Sequence, residues 1–470
     1  MILTLDLGTS RTKAALWEPD GLVGVADATV DTRSPVPGAM EQDPSQWWAS
    51  VVAACTALGA GRPDGLRPVD VVTCTGARQT FGLFDAAGAP TGPGILWSDS
   101  RAGMESGRET GPGASVVARL AWVAAHRADQ LERSTWILAP RDVAVWRLTG
   151  TVATDSTLAS LTGCYGPDGT LVEAVPGPVA DRLPPVVDSV RVVGTAGGAA
   201  AGALGLRPGV PVVMGAGDRQ CEVLGTGATP AEPMVSWGTT ANVSLPVDAA
   251  PAPPPDGVVV TRGAVGGWLL EGGLSGAGSL LAWLGRLCGR PPDDLAALAA
   301  ASPPGARGVT AVPWLGGARA PWWRPGAGAA FVGLADAHGP ADLARAVFES
   351  VARDVERCLA AMGRRTPAGP AVSGLGLAGG GASAPVWVEV LTGTTGLPSR
   401  FRRSGQTASA GAALVAARAT GDPWDLERLD PVVGGGDPDP AVVRRYADLA
   451  PRTEQVARSL IDVGPPPACR

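Results

Sequence analysis

Lysine is almost missing from this sequence: among 38 basic residues the sole lysine is Lys13, and arginine fills every other such position. Histidine is nearly as scarce. His126 and His338 are the only two, which argues against a histidine-built metal site and leaves little for histidine-based catalysis. The seven cysteines (55, 74, 164, 221, 288, 358 and 469) are odd in number, scattered and without a CxxC pair. They give neither a disulfide framework nor a zinc site, and fit reduced thiols in a cytoplasmic protein. No apolar run approaches about 18 residues, so no membrane span is expected. No basic leader precedes the first strand, so no secretory signal is expected. The net charge is −6, and no basic stretch carries interleaved aromatics, which argues against nucleic acid as a partner. A Gly-x-Ser-x-Gly elbow is lacking, which removes a serine hydrolase. The only lysine lies between Thr12 and Ala14, which removes a Walker A loop.

What is present is enough chain for two or three domains, 470 residues at 45% hydrophobic, with 66 glycines and 44 prolines spread as turns in an α/β protein would spread them. Residues 2–7 alternate as a strand, Gly8-Thr9-Ser10 turns, and strands are expected over 12–17 and 22–30. Asp43-Pro44 reads as the start of an amphipathic helix, with Asp43 as N-cap and Trp47, Val51, Ala54, Cys55 and Leu58 on its buried face. Buried strands are expected at 69–75 and 82–85, and helices at 116–125 and 141–148. A second strand, Gly-Thr-Thr turn and strand falls at 234–245, so the 2–17 layout occurs twice and points to a duplicated phosphate-binding fold. Helices follow at 341–362, 385–391 and 409–419, the last of small residues suited to close packing. Residues 430–440 read as a linker, and those around 465–467 as a frayed tail.

Chemistry collects at the turns. Gly8 lets backbone amides converge on a phosphate, the hydroxyls of Thr9 and Ser10 can donate to it, Asp6 can hold Mg²⁺, and Lys13 can neutralise phosphoryl charge. A plain β-hairpin with a solvated lysine is the bland reading of the same residues. Asp218, after Gly215-Ala216-Gly217, can take a proton from a substrate hydroxyl as general base, or simply cap the helix that follows. Gly379-Gly380-Gly381 and the GGLSGAGS run at 272–279, which includes Gly278, suit a nucleotide's close approach or a tight turn equally.

The order of these motifs resembles the FGGY carbohydrate kinases, collinearly over residues 2–425. The strings that carry it include LDLGTSRTK (5–13), EQDPSQWW (41–48), GILWSDSRA (94–102), GVPVVMGAGD (209–218), SWGTT (236–240), GGLSGAGSLLAWL (272–284) and GLAGGGASAPVW (376–387). The resemblance implies two ribonuclease-H-like (actin-like ATPase) α/β domains flanking a catalytic cleft. It implies boundaries at 1–230 and 231–430, with a linker, helix and tail at 431–470. It also implies Asp6 and Asp218 at the metal, with Asp218 as catalytic base. Gly8, Thr9, Ser10, Lys13, Gly238, Thr239, Gly278, Gly380 and Gly381 would face ATP. Arg78, Gln79, Trp97, Asp218 and Arg219 would face the substrate. ATP and Mg²⁺ are the implied cofactors, and a sugar or polyol, first a ketopentose such as xylulose, the implied substrate; a homodimer is compatible. Gly76-Ala77-Arg78-Gln79-Thr80 departs from the usual xylulokinase pocket string, and Gln406 stands where an acidic residue is usual. A nucleotide-binding regulatory protein on the same scaffold, with little transfer activity, is the alternative.

Overall fold

The computed structural model describes residues 1–106, 116–173, 175–363 and 372–461, so the stretch read as a frayed tail at 465–467 lies outside it. The chain forms two compact units. The first holds Met1–Gly225, Thr261–Gly267 and Gln406–Pro431; the second holds Thr226–Val260, Trp268–Gly405 and Val432–Arg470.

In the first unit a six-stranded sheet runs in the order Val192–Thr195, Pro211–Val213, Val71–Gly76, Ile2–Leu7, Arg11–Glu18, Gly21–Thr29. Ile2–Leu7 pairs antiparallel with Arg11–Glu18 and parallel with Val71–Gly76. The Val71–Gly76 strand is buried throughout and lacks two-residue alternation, as a strand covered on both faces must. The expected first helix is Ser45–Gly59, and its buried face is Trp47, Ser50, Val51, Ala54, Cys55 and Leu58. The Asp43 carboxylate accepts hydrogen bonds from the Ser45 amide at 2.9 Å and the Ser45 hydroxyl at 2.7 Å, capping in the manner its position beside Pro44 suggested.

A seven-stranded sheet, in the second unit but for residues 261 and 262, runs Val259–Arg262, Trp268–Gly273, Ala241–Val247, Met234–Trp237, Leu375–Ala378, Ser399–Arg402, Val432–Gly436. Met234–Trp237 pairs antiparallel with Ala241–Val247 and parallel with Leu375–Ala378. This is the pairing pattern of the first sheet, so the strand, turn and strand noticed twice in sequence occupy equivalent places in two sheets.

One expectation needs correction. Residues 432–436, read as part of a linker, form the edge strand Val432–Gly436, antiparallel to Ser399–Arg402. Three of its five residues are glycine, so no side-chain alternation announces it. They are there for approach: a Cβ on Gly434 would meet the Phe401 ring at 2.3 Å, and one on Gly435 the Ser399 carbonyl oxygen at 1.9 Å. Among the described residues no helix is long and apolar enough to cross a membrane.

The small-residue helix is Thr407–Ala419, and it packs within the first unit. A Cβ on Gly411 would lie 1.8 Å from the Cys221 carbonyl oxygen, and one on Gly225 1.9 Å from that of Thr407. Two helices therefore meet backbone to backbone. Ser409 ends the contact on the sheet side, bonding Thr4 Oγ1 at 2.6 Å and accepting from Trp17 Nε1 at 2.8 Å. Gly411→Ala is expected to destabilise the protein by about 1–3 kcal/mol through overpacking. Gly202→Ala, in the Gly198–Leu204 helix with no atom within 4 Å of its Cβ position, is the control. It is expected to stabilise by about 0.5–1 kcal/mol through helix propensity. Urea unfolding of the two variants reads both values.

Candidate active site

The C-terminal edge of the parallel strands in the first unit gathers the charged residues. Asp6, the penultimate residue of Ile2–Leu7, sits opposite Lys13 on one neighbour and Thr75 on the other. Gly76 is bridged to Gly217, so Asp218 follows at the same edge. The Asp6 Oδ1 atom is buried and has no hydrogen-bond partner. Burial first, and the Asp218 charge second, push the Asp6 carboxyl up to about 7; Lys13 opposes the shift and Glu222 adds to it. A carboxyl in that condition takes either a proton or a cation. At Gly8 a Cβ would lie 2.9 Å from the Arg11 carbonyl oxygen, which keeps the turn tight, while Thr9 and Ser10 lie at its tip. The Lys13 ammonium donates to Gln406 Oε1 at 3.2 Å, so a neutral amide holds the lysine.

Asp218 opens the Asp218–Thr226 helix and its Oδ1 accepts from the Arg219 amide at 2.7 Å. The same oxygen lies 3.5 Å from Arg78 Nε, so the start of this helix lies at the charged edge. Gly217 allows it, because a Cβ there would come within 2.9 Å of Arg78 Cδ. Arg219 pairs with Glu222, whose own carboxyl is pushed upward by burial against the pull of that arginine. Gln79 has a left-handed backbone (φ 63°), and its Nε2 donates to the Leu161 carbonyl at 3.2 Å. Trp97 Nε1 donates to Thr9 Oγ1 at 3.1 Å and its amide to Thr80 Oγ1 at 3.2 Å. Asp6, the Gly8–Ser10 turn, Lys13, Arg78, Gln79, Trp97, Asp218 and Arg219 all belong to this unit.

Beneath Asp218 lies a support that sequence reading missed. Arg141 is fully buried and donates to the Met214 and Gly215 carbonyls at 3.1 and 2.8 Å, to Asp142 at 2.8 Å and to Asp155 at 2.7 Å. Asp155 accepts from the hydroxyls of Thr157 and Ser189, and Thr157 Oγ1 accepts from the Gly217 amide at 2.8 Å. The turn that carries Asp218 is therefore bonded on both its carbonyl and its amide side. An N-capping Asp155-Ser156-Thr157 is the one local sequence sign of this network.

In the second unit the remaining expected residues come together around the end of Met234–Trp237. The Gly278 amide donates to the Gly238 carbonyl at 3.0 Å, and the Ser279 amide to that of Thr239 at 2.9 Å, which ties the Gly-Thr-Thr turn to the start of the Gly278–Cys288 helix. Gly379 takes a positive φ of 86°, and the Gly381 amide donates to the Trp237 carbonyl at 3.2 Å. A Cβ on Gly381 would strike the Trp237 ring at 2.2 Å. Trp237 itself stacks on Phe348 and leans on Trp387, so the glycines rest on a rigid aromatic base. Gly380, with no atom within 4 Å of its Cβ position, leaves the main chain there open to close approach.

Among the described residues no group of three or more His, Cys, Asp or Glu forms a metal cage. The Asp6 and Asp218 edge suits instead a Mg²⁺ ion held by one or two carboxylates, with phosphate and water oxygens completing its shell.

Arg141→Met is expected to cost about 3–5 kcal/mol, because it strands two buried carboxylates. Burial already pushes Asp142 up to about 6, so in the folded state it takes up a proton that the unfolded chain binds only near pH 4. The deficit of the variant is therefore expected to be smaller at pH 5 than at pH 8, by urea unfolding at both.

Comparison with known proteins agrees with this geometry. The N-terminal domain of the FGGY family of carbohydrate kinases matches residues 1–225, and its C-terminal domain residues 234–420. A xylulose kinase of Klebsiella pneumoniae is 31% identical over 97% of this chain and 98% of its own. A glycerol kinase of Aromatoleum aromaticum is 30% identical over 91% of this chain and 92% of its own. Among solved structures, xylulose kinase from Rhodospirillum rubrum superposes with a TM-score of 0.84 at 27% identity, covering 97% and 98% of the two chains. Gluconate kinase from Lactobacillus acidophilus superposes with a TM-score of 0.87 at 20% identity, covering 98% of each, a likeness of fold. The chain belongs to the FGGY family of carbohydrate kinases, phosphotransferases with an actin-like ATPase fold.

Proposed function

We propose that this chain transfers the γ-phosphoryl group of ATP to a hydroxyl of a sugar, first among candidates a ketopentose such as xylulose, with Asp218 as general base. Kinases of this family use ATP as the phosphate donor. The observation that carries the reading is the meeting of Asp218 with Asp6 and Lys13 at one sheet edge, with Arg78 at 3.5 Å from the Asp218 carboxylate. In it Asp218 accepts the proton of the attacking hydroxyl, and Arg78 orients that carboxylate. Lys13 meets the negative charge of the group in transfer, and the Gly8–Ser10 turn offers amides and hydroxyls to phosphate oxygens. Asp6 and Asp218 would hold Mg²⁺, which supplies neutralisation of phosphate charge. In the second unit, Gly238, Thr239 and Gly278 would bind phosphate, and the open backbone of Gly380 and Gly381 the adenosine part. Arg78, Gln79, Trp97 and Arg219 would contact the sugar. The xylulose kinases among the relatives support the choice of ketopentose. Glycerol and gluconate kinases lie near enough that polyols and sugar acids belong in the test.

Coupled release of ADP, measured with MgATP against pentuloses, hexuloses, polyols and aldonates, tests the reading. Xylulose-dependent turnover is expected, with Asp218→Asn lowering kcat by about 10²–10⁴-fold as loss of a general base does. Turnover with another acceptor would replace the substrate and keep the mechanism. ATP binding without transfer to any acceptor would favour a regulatory protein instead.

A further inference from the structure

Arg119 belongs to no motif singled out in the sequence, yet its surroundings are unusual for a charged side chain. It lies on the Val116–His126 helix and is 1% exposed. Its hydrogen bonds go to three main-chain carbonyls: Nη1 donates to Leu96 at 3.1 Å and Trp97 at 2.7 Å, and Nη2 donates to Gln79 at 2.7 Å. Its Nε has no partner. Burial pulls the guanidinium down to about 10, and the charge of Asp99 offsets only part of that. If packing were the whole purpose, an apolar side chain would fill this place without burying a charge. What a guanidinium adds is a rigid fork that reaches two chain segments at once.

Those two segments carry Gln79 and Trp97. Gln79 is a non-glycine residue at positive φ, a conformation that reverts unless its surroundings hold it. Arg119 fixes its carbonyl and Leu161 its side-chain nitrogen, which leaves the amide oxygen as the group to meet a sugar hydroxyl. Trp97 is held by Arg119 at its carbonyl and in turn donates to Thr9 of the phosphate turn. One arginine thus links the expected acceptor pocket to the phosphate loop.

We infer that Arg119 is a positioning residue, which sets sugar affinity and selectivity by fixing the Gln79 and Trp97 loops relative to each other. The inference rests on the reading of Gln79 and Trp97 as sugar contacts. Arg119→Met and Arg119→Lys in the full chain, beside Trp97→Phe, separate the two claims. Arg119→Met is expected to raise the KM for the sugar about 10- to 100-fold, as small misplacements do, with the KM for MgATP within about twofold. It should also narrow the preference for that sugar over its next-best competitor. Lysine keeps the charge without the fork, so Arg119→Lys is expected to share the KM defect while melting near the wild type. Guanidinium ion added to Arg119→Ala is expected to lower the sugar KM again, where sodium at equal ionic strength does not.

A lowered melting temperature with unchanged sugar KM in Arg119→Lys would overturn the inference and leave a purely structural role. So would equal shifts for sugar and nucleotide. If Trp97→Phe raises the sugar KM and both Arg119 variants do not, the pocket stands and only the positioning role fails. If Trp97→Phe and Gln79→Ala leave the sugar KM unchanged, the pocket assignment fails with it.

Discussion

A carboxyl group buried at a sheet edge, with a second carboxyl on the neighbouring turn, costs free energy unless a proton or a cation accompanies it. Asp6 and Asp218 impose that condition on the first unit. Basic side chains stand beside them. Lys13 faces Asp6 across the hairpin, Arg78 lies against Asp218, and Arg219 takes up the charge of Glu222. Below, Arg141 binds the two carbonyls that lead into the Asp218 turn, so the turn does not relax away from its like-charged neighbour. The edge keeps the Asp6 carboxyl, buried and without a hydrogen bond at Oδ1, in a fixed place beside Asp218. That is unfavourable for a resting fold and useful for a site that takes up a divalent ion with a polyphosphate.

The second unit meets a different demand with a related design. It repeats the strand, turn and strand of the first, but Ser236 stands at the strand position that Asp6 holds in the first, Gly379 lies against the Trp237 main chain and Gly381 against its ring. The amides of Gly278, Ser279 and Gly381 tie the turns together, and Gly380 is left as main chain open to close approach. The Asp6 and Asp218 carboxyl groups thus belong to the edge of one sheet, and the Gly379–Gly381 run to the other.

Much of this was legible before any coordinates. The Asp6 to Lys13 hairpin announced itself because strand alternation breaks at Gly8, and the second copy at Gly238 showed the same break. The helix around Trp47 was legible from Asp43-Pro44 and its apolar spacing. The strand Val432–Gly436 was not, because its close packing demands glycine and glycine carries no alternation. Arg119 and Arg141 were hidden for another reason. Their partners include main-chain carbonyls, which leave no mark in a sequence, and in a chain where arginine replaces lysine nearly everywhere one more arginine attracts no notice. Gln406 was visible as a departure, but its role as the acceptor for Lys13 follows only from the fold that brings two distant segments together.

Asp6 and Asp218 share one edge, and the Asp218 charge raises the demand of Asp6 for a proton or a cation. Carbon-13 NMR of aspartate-labelled protein, titrated from pH 4 to pH 9, tests it directly. A carboxyl titrating near 7 is expected, which disappears in Asp6→Asn, moves downward in Asp218→Asn when the like charge is removed, and moves downward again when MgATP is added. An Asp6 carboxyl titrating near 4, or one indifferent to the loss of Asp218, would contradict it.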